Sequence, residues 1–157
     1  MKTYSCAKAM KQKQEYADRS DLMRRIKSRN TGPERQVRSL LHSQGFRFRL
    51  HCRNLPGTPD IVLRKYNTVV FVHGCFWHRH QCCNFAFTPK TNLSYWKPKF
   101  HRTVQRDREN TLALKSIGWR VIVVWTCELQ WPEELSGRLR QLILTEQSRR
   151  DRQQWQH

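Results

Sequence analysis

Long hydrophobic runs are missing from this chain. No apolar stretch approaches the roughly 18 residues that a membrane span needs. Residues 1–10 carry Lys2 and Lys8 but no apolar core of a secretory signal. A membrane-spanning or secreted protein is therefore not expected. Acidic residues are scarce as well: 12 Asp and Glu stand against 30 Lys and Arg in 157 residues, a formal net charge of +18. An anionic membrane surface would call for a basic amphipathic helix with a wide apolar face, and none stands out. The surplus charge points to a polyanion, with nucleic acid the leading partner. Core material is not lacking. Hydrophobic residues reach 38%, with 6 Trp and 7 Phe, which excludes full disorder. The length suits one domain with a modest core.

The six cysteines are not spread as a disulfide framework would spread them. Cys75, Cys82 and Cys83 fall within nine residues, among His73, His78 and His80. That clustering suits a metal site in a reducing cytosol. Cys6 and Cys52 have no ligand types nearby and read as ordinary free thiols.

Residues 1–17 are polar and basic without a period and read as a mobile N-terminal arm. Asp18-Arg19-Ser20-Asp21 offers a cap for a short basic helix carrying Leu22, Met23 and Ile26 at helical spacing. Thr31-Gly32-Pro33-Glu34 reads as a capping box for a second helix, with Val37, Leu40 and Leu41 inward and Gly45 as its stop. Phe46-Arg47-Phe48-Arg49-Leu50 alternates as a half-buried strand does. Asp60-Ile61-Val62-Leu63 and Thr68-Val69-Val70-Phe71-Val72 are expected as strands, the latter central. A long Cys-, His- and aromatic-rich loop is expected over 73–96, and loops of that length are usually functional. A basic helix is expected over 97–117, with Phe100, Val104, Leu112 and Leu114 inward. A buried strand over 119–125 and a helix over 132–146, with Leu135, Leu139, Leu142 and Ile143 inward, complete the domain. The domain is placed at 18–147, followed by a polar tail over 148–157. This order predicts an α/β fold with a small mixed sheet flanked by helices.

Three constellations carry chemistry. Cys75-x4-His80-x-Cys82, with Cys127 just past a strand end, can enclose one tetrahedral ion; Cys83 and His78 compete for the same places. Zinc is the default for mixed sulfur and nitrogen donors, and four protein ligands leave no open position, as in a structural site. Unrelated buried thiols and surface histidines are the bland alternative. Second, Asp60 at a turn-to-strand junction, with His73 at the end of the next strand and His78 beyond, offers a carboxylate and two imidazoles. A hard cation such as Mg²⁺ on the carboxylate would polarise a phosphate while one His activates water. Taken alone, Asp60 reads as a turn cap and His73 as a core histidine. Third, Phe76-Trp77 and Tyr95-Trp96 bracket the basic loop, where an aromatic can wedge between bases; two adjacent aromatics anchored at Cys75 predict at least one exposed wedge. Lys90, Lys97, Lys99, Arg102, Arg106, Arg108 and Lys115 surround them and are read as phosphate contacts.

Pro56-Gly57-Thr58-Pro59-Asp60, then Phe71-Val72-His73-Gly74-Cys75-Phe76-Trp77-His78-Arg79-His80-Gln81-Cys82, resembles the signature of the very short patch repair (Vsr) endonucleases. Gly118-Trp119-Arg120-Val121 through Val124-Trp125-Thr126-Cys127 is similar to their C-terminal strand. Arg19 to Met23 and Asn30-Thr31-Gly32-Pro33-Glu34 are similar to their N-terminal helices. The resemblance covers about residues 18–145. It implies a restriction-endonuclease-like fold and a Mg²⁺-dependent DNA mismatch endonuclease that nicks one strand 5′ of the thymine in T:G mismatches, which arise from deaminated 5-methylcytosine. By motif, Asp60 would hold the catalytic Mg²⁺, His73 and His78 would be the catalytic histidines with His78 the water-activating base, Asp107 would support that base, and Glu34 would be an active-site acid. Val72 stands where members commonly carry Thr; it keeps a main-chain carbonyl for the metal but offers no hydroxyl. Cys75, His80, Cys82 and Cys127 match the structural zinc ligands. Phe76, Trp77 and Trp96 match the intercalating aromatics, with Met23 inserting from the other groove. Arg79 and Gln81 interrupt the family's His-rich run. The resemblance also implies a cytoplasmic, nucleoid-associated bacterial monomer acting on double-stranded DNA, functionally linked to a cytosine-5 DNA methyltransferase and mismatch-repair proteins. A non-catalytic zinc DNA-binding module would need neither Asp60 nor the histidines, and a restriction or defence nuclease of the same fold would need no wedge.

Overall fold

Apolar and β-branched residues dominate residues 61–63, 68–73 and 120–125, and these three runs pair as the core of a four-stranded sheet. The computed structural model describes residues 29–145. The expected arm over 1–17, the basic helix with Met23 and the tail over 148–157 lie outside the described residues. From Gly32 onward the described residues form one unit. Its elements in order are α1 (Gly32–Ser43), β1 (Arg49–Leu50), β2 (Ile61–Leu63), β3 (Thr68–His73), α2 (Cys75–His78), α3 (Leu93–Ser116), β4 (Arg120–Trp125) and α4 (Pro132–Thr145), with short 3₁₀ turns between several of them.

The sheet order is β1-β2-β3-β4. The first three strands form an antiparallel meander, with Leu50 opposite Ile61 and Ile61 opposite Val70. β4 returns through α3 to lie parallel to β3, Val70 beside Ile122 and His73 beside Trp125. Side-chain alternation then assigns two faces. Ile61, Leu63, Val70, Ile122 and Val124 join Val37 and Leu41 of α1 and Leu135, Leu139 and Ile143 of α4 in one core. Val62 and Val69 meet Leu114 of α3 on the other face, where Phe71, Trp119 and Val121 pack around them. The sheet is thus sandwiched by helices, in keeping with the expected mixed α/β architecture. Full burial of Leu114 contributes about 1.5–3 kcal/mol and anchors the C-terminal end of α3.

Several expectations need correction. Only Arg49 and Leu50 of the alternating segment pair with β2, and both are exposed rather than half-buried. The loop over 73–96 contains a one-turn helix, a 3₁₀ turn, and the start of α3, which begins at Leu93 and carries Pro98 inside it. Val104 and Leu112 are exposed, and so is Leu142. The inward stripe of α3 instead includes Phe100, Thr103, Asp107, Asn110 and Leu114, at spacings of three and four, with a polar centre. Gly57 lets that stripe approach: its φ is +72°, and a Cβ there would lie 2.8 Å from the Asn110 side chain. Among the described residues no helix is long and apolar enough to cross a membrane.

Candidate active site and metal centre

The topology brings the chemistry-bearing residues to one end of the sheet. Asp60 precedes β2, His51 follows β1, His73 closes β3 and Trp125 closes β4. Carboxyl ends of parallel strands in open α/β sheets are where ligands commonly bind. Among the described residues three clusters of metal-ligating types form there, each with its ligand atoms within 4.8 Å of one another: Glu34, His51 and Asp60; His73, His78 and Asp107; and Cys75, His80, Cys83 and Cys127.

In the first cluster the Asp60 Oδ2 accepts the main-chain N–H of Val72 at 2.8 Å. It is the Val72 N–H that ties this residue to Asp60. Burial raises the Asp60 pKa above its ordinary value and the Glu34 charge adds to that, while the Val72 N–H and the Arg38 charge pull it down. Glu34 is buried on α1. One turn on, Arg38 donates to Glu34 Oε2 at 2.7 Å. A buried pair of carboxylates beside an imidazole has the donor chemistry to accept a divalent cation. Sequence reasoning missed His51. The signal was its place immediately after a strand whose register, continued by one residue, sets it opposite Asp60.

In the second cluster His78 Nδ1 lies 2.6 Å from Asp107 Oδ2. The His73 and His78 rings stack, centroids 3.8 Å apart and 11° from parallel. Burial first, and the neighbouring His78 second, lower the His73 pKa to about 4, against a smaller pull from Asp107. His73 is therefore neutral at neutral pH. His78 with its Nδ1 turned to a carboxylate is held as a base is held, with Nε2 left for a substrate proton.

In the third cluster the Cys75 and Cys127 sulfurs lie 3.8 and 3.3 Å from His80 Nδ1. The His80 ring stacks on Trp125 at 4.3 Å. Glu128 accepts the Trp125 N–H at 2.7 Å and pairs with Arg138 of α4, which pins the turn carrying Cys127. Burial, then Cys75, push the Cys127 thiol up to about 12. These thiols do not ionise together without a cation between them, and three thiols with one imidazole fit a closed structural zinc site. The expected Cys82 is not in the group. It is exposed with φ +55°, and its neighbour Cys83 turns inward in its place.

The aromatics gather rather than stand apart. Phe76 makes edge or tilted contacts with Trp77, Trp96, Phe87 and Phe100 at 5.0–5.4 Å. The Lys99 ammonium lies 5.1 Å from the Trp77 ring centre and 5.9 Å from that of Trp96. Phe76 and Trp77 are both half-buried, where at least one exposed wedge was expected; Phe85, Phe87 and Tyr95 are exposed. Arg79 is held by the Phe87 carbonyl and the Thr88 hydroxyl and lies over Phe100.

A sequence model of the family described as DNA mismatch endonuclease Vsr matches residues 11–84. The type II nicking enzyme V.XorIIP of Xanthomonas oryzae pv. oryzae is 52% identical over 122 residues, 78% of this chain and 89% of that protein. The DNA mismatch endonuclease Vsr of Escherichia coli (strain K12) is 44% identical over 120 residues, 76% of this chain and 76% of that protein. Among solved structures, the catalytic domain of the homing endonuclease I-Bth0305I matches with a TM-score of 0.51 at 19% identity, over 74% of this chain and 97% of that one. That last likeness speaks for the fold alone.

Proposed function

The chain belongs to the Vsr family of DNA mismatch endonucleases, and from that premise we propose that it nicks one strand 5′ of the thymine in T:G mismatches, with Mg²⁺ and with His78 as the base. The endonuclease activity on DNA follows from the family. The observation that supports the residue roles is the His78–Asp107 contact at 2.6 Å, beside His73 on the strand whose Val72 binds Asp60. The strand order and the likeness to a homing endonuclease domain support a restriction-endonuclease-like core.

Asp60 and Glu34, with the main-chain carbonyl of Val72, would hold Mg²⁺, which supplies positive charge to the phosphate oxygens as negative charge develops. His78 takes a proton from the attacking water at Nε2. Asp107 fixes the tautomer by accepting Nδ1–H and stabilises the imidazolium that forms. His73 is neutral at working pH and so does not oppose that new charge with one of its own. Cys75, His80, Cys83 and Cys127 would hold a structural Zn²⁺ that ties α2 to the end of β4. Phe76, Trp77 and Trp96 form the surface offered to the mispair, and the excess of Lys and Arg supplies phosphate contacts.

Labelled duplexes carrying T:G, T:A or C:G at one position, with and without Mg²⁺, test this reading. Nicking is expected at T:G alone and only with the ion. Equal cleavage of T:A would overturn the substrate, and full activity in chelator would overturn the metal.

A further inference from the structure

We propose that His51 is a further side-chain donor of the divalent-cation site, binding the same ion as Glu34 and Asp60, and that the Arg38 guanidinium occupies that place when no ion is bound. The inference rests on the reading above that Asp60 and Glu34 hold the cation. It adds a ligand, a resident competitor and a metal preference.

Continuing the β1–β2 register by one residue sets His51 opposite Asp60, at the end of the sheet where Asp60 already binds Val72. There His51 has φ +45°, a left-handed conformation that costs free energy in any residue but glycine. Its imidazole is part-buried, with Nε2 lying 3.7 Å from Glu34 Oε2. One atom each of Glu34, His51 and Asp60 falls within 4.8 Å of the others, close enough to share an ion.

Arg38 sits between the two donors. One terminal nitrogen lies 2.7 Å from Glu34 Oε2 and 3.1 Å from His51 Nε2. A guanidinium only donates, so Nε2 accepts there and must carry its lone pair rather than a proton. A positively charged nitrogen is thus held between two atoms whose lone pairs point at it, as they would point at a metal. The i,i+4 spacing of Glu34 and Arg38 on α1 builds this placement into the helix.

An imidazole nitrogen beside the carboxylate and carbonyl oxygens is not a donor that Mg²⁺ selects, since Mg²⁺ prefers oxygen ligands and keeps its waters. A nitrogen donor favours first-row transition ions over Mg²⁺. The site is therefore biased toward Mn²⁺ relative to an all-oxygen version of itself.

The test uses the full chain with its cysteine cluster kept loaded with Zn²⁺, and Mn²⁺ as the probe. Pulsed paramagnetic resonance of bound Mn²⁺ reads a coordinated ¹⁴N directly. The wild type is expected to show imidazole ¹⁴N coupling, and His51→Gln to lose it while still binding Mn²⁺. By titration, His51→Gln is expected to weaken Mn²⁺ by about tenfold or more and Mg²⁺ by less. No ¹⁴N coupling in the wild type, unchanged coupling in His51→Gln, or equal weakening of both ions would overturn the proposal. Should His51→Gln fail to fold, Arg38→Ala decides: it keeps all three donors and is expected to retain the coupling and bind Mn²⁺ more tightly, and weaker binding would overturn the competitor role. Asp60→Asn scores the underlying reading separately. It is expected to lose both ions, and normal binding by that variant would remove Asp60 from the site whatever His51 does.

Discussion

His78 Nδ1 and Asp107 Oδ2 lie 2.6 Å apart, although one residue comes from a one-turn helix and the other from the middle of a 24-residue helix. The contact fixes which imidazole nitrogen is free. Asp107→Asn keeps the shape but offers an amide where Nδ1–H needs an acceptor, so the wrong tautomer is favoured. Nicking by Asp107→Asn and by His78→Ala is expected to fall about 10²–10⁴-fold, with duplex affinity nearly unchanged. Single-turnover nicking and equilibrium binding on the same T:G duplex separate the two effects. Loss of binding in parallel with rate would mark the pair as structural.

His73 makes a prediction in pH. Its folded pKa is about 4 against an ordinary 6.5, lowered first by burial and then by His78. Between those values the unfolded chain binds more protons than the folded one, so stability rises with pH. Full loss is reached below the folded value and amounts to about 3 kcal/mol. Asp60 acts with opposite sign, its raised pKa favouring the folded state as pH falls, but it is common to both proteins in a wild-type and His73→Asn pair. Urea unfolding from pH 7 to pH 4.5 is expected to show a shallower decline in His73→Asn. Parallel curves would show that His73 is not held neutral.

The metal cluster predicts different outcomes for two adjacent thiols. Cys83→Ala is expected to lose zinc and melt at lower temperature, because Cys83 is grouped with Cys75, His80 and Cys127. Cys82→Ala is expected to keep both, since that thiol is exposed. Elemental analysis with thermal melting checks this, and zinc loss from Cys82→Ala alone would restore the ligand set expected from spacing.

These cases show what a sequence carries and what it does not. The strands at 61–63 and 68–73 were legible because burial on both faces demands unbroken apolar runs, and that at 120–125 because it is apolar and β-branched throughout its centre. The gathering of Cys75, His80 and Cys127 was legible because few other arrangements use such residues together. The choice between Cys82 and Cys83 was not, because neighbours on a turn differ only in direction, and backbone dihedrals set that. The buried face of α3 was misread through Val104 and Leu112 because the true stripe is polar at Thr103, Asp107 and Asn110, where the helix covers the site. His51 was missed because a histidine gains meaning there only once β1 pairs with β2.

Gly57 links packing to chemistry. Its φ of +72° disfavours any side chain, and a Cβ would meet Asn110 at 2.8 Å. Asn110 lies one turn beyond Asp107 on α3, so displacing it moves the carboxylate that holds His78. Gly57→Ala is expected to cost about 1–3 kcal/mol and to reduce nicking. Adding Asn110→Ala removes the clash but not the dihedral strain, so partial recovery of stability is expected. Full recovery by the double variant would show that the backbone conformation costs nothing.

The aromatic cluster gives the last prediction. A T:G wobble pair stays stacked, so finding it requires opening the stack, at a cost of a few kcal/mol that is smaller at a mispair. Phe76 contacts four other rings and is the hub of the cluster, so its loss would disturb packing as well as recognition. Trp77 contacts two of the rings and has Lys99 above it, which places a large flat surface beside a phosphate-seeking charge. Trp77→Ala is therefore the cleaner probe. It is expected to lower the ratio of T:G to T:A affinity more than it lowers non-specific affinity. Arg102→Ala and Arg106→Ala on α3 are expected to weaken both duplexes together and flatten the salt dependence, because phosphate contacts carry no sequence information. Binding to both duplexes across a salt series checks this, and an unchanged ratio in Trp77→Ala would assign that indole to packing.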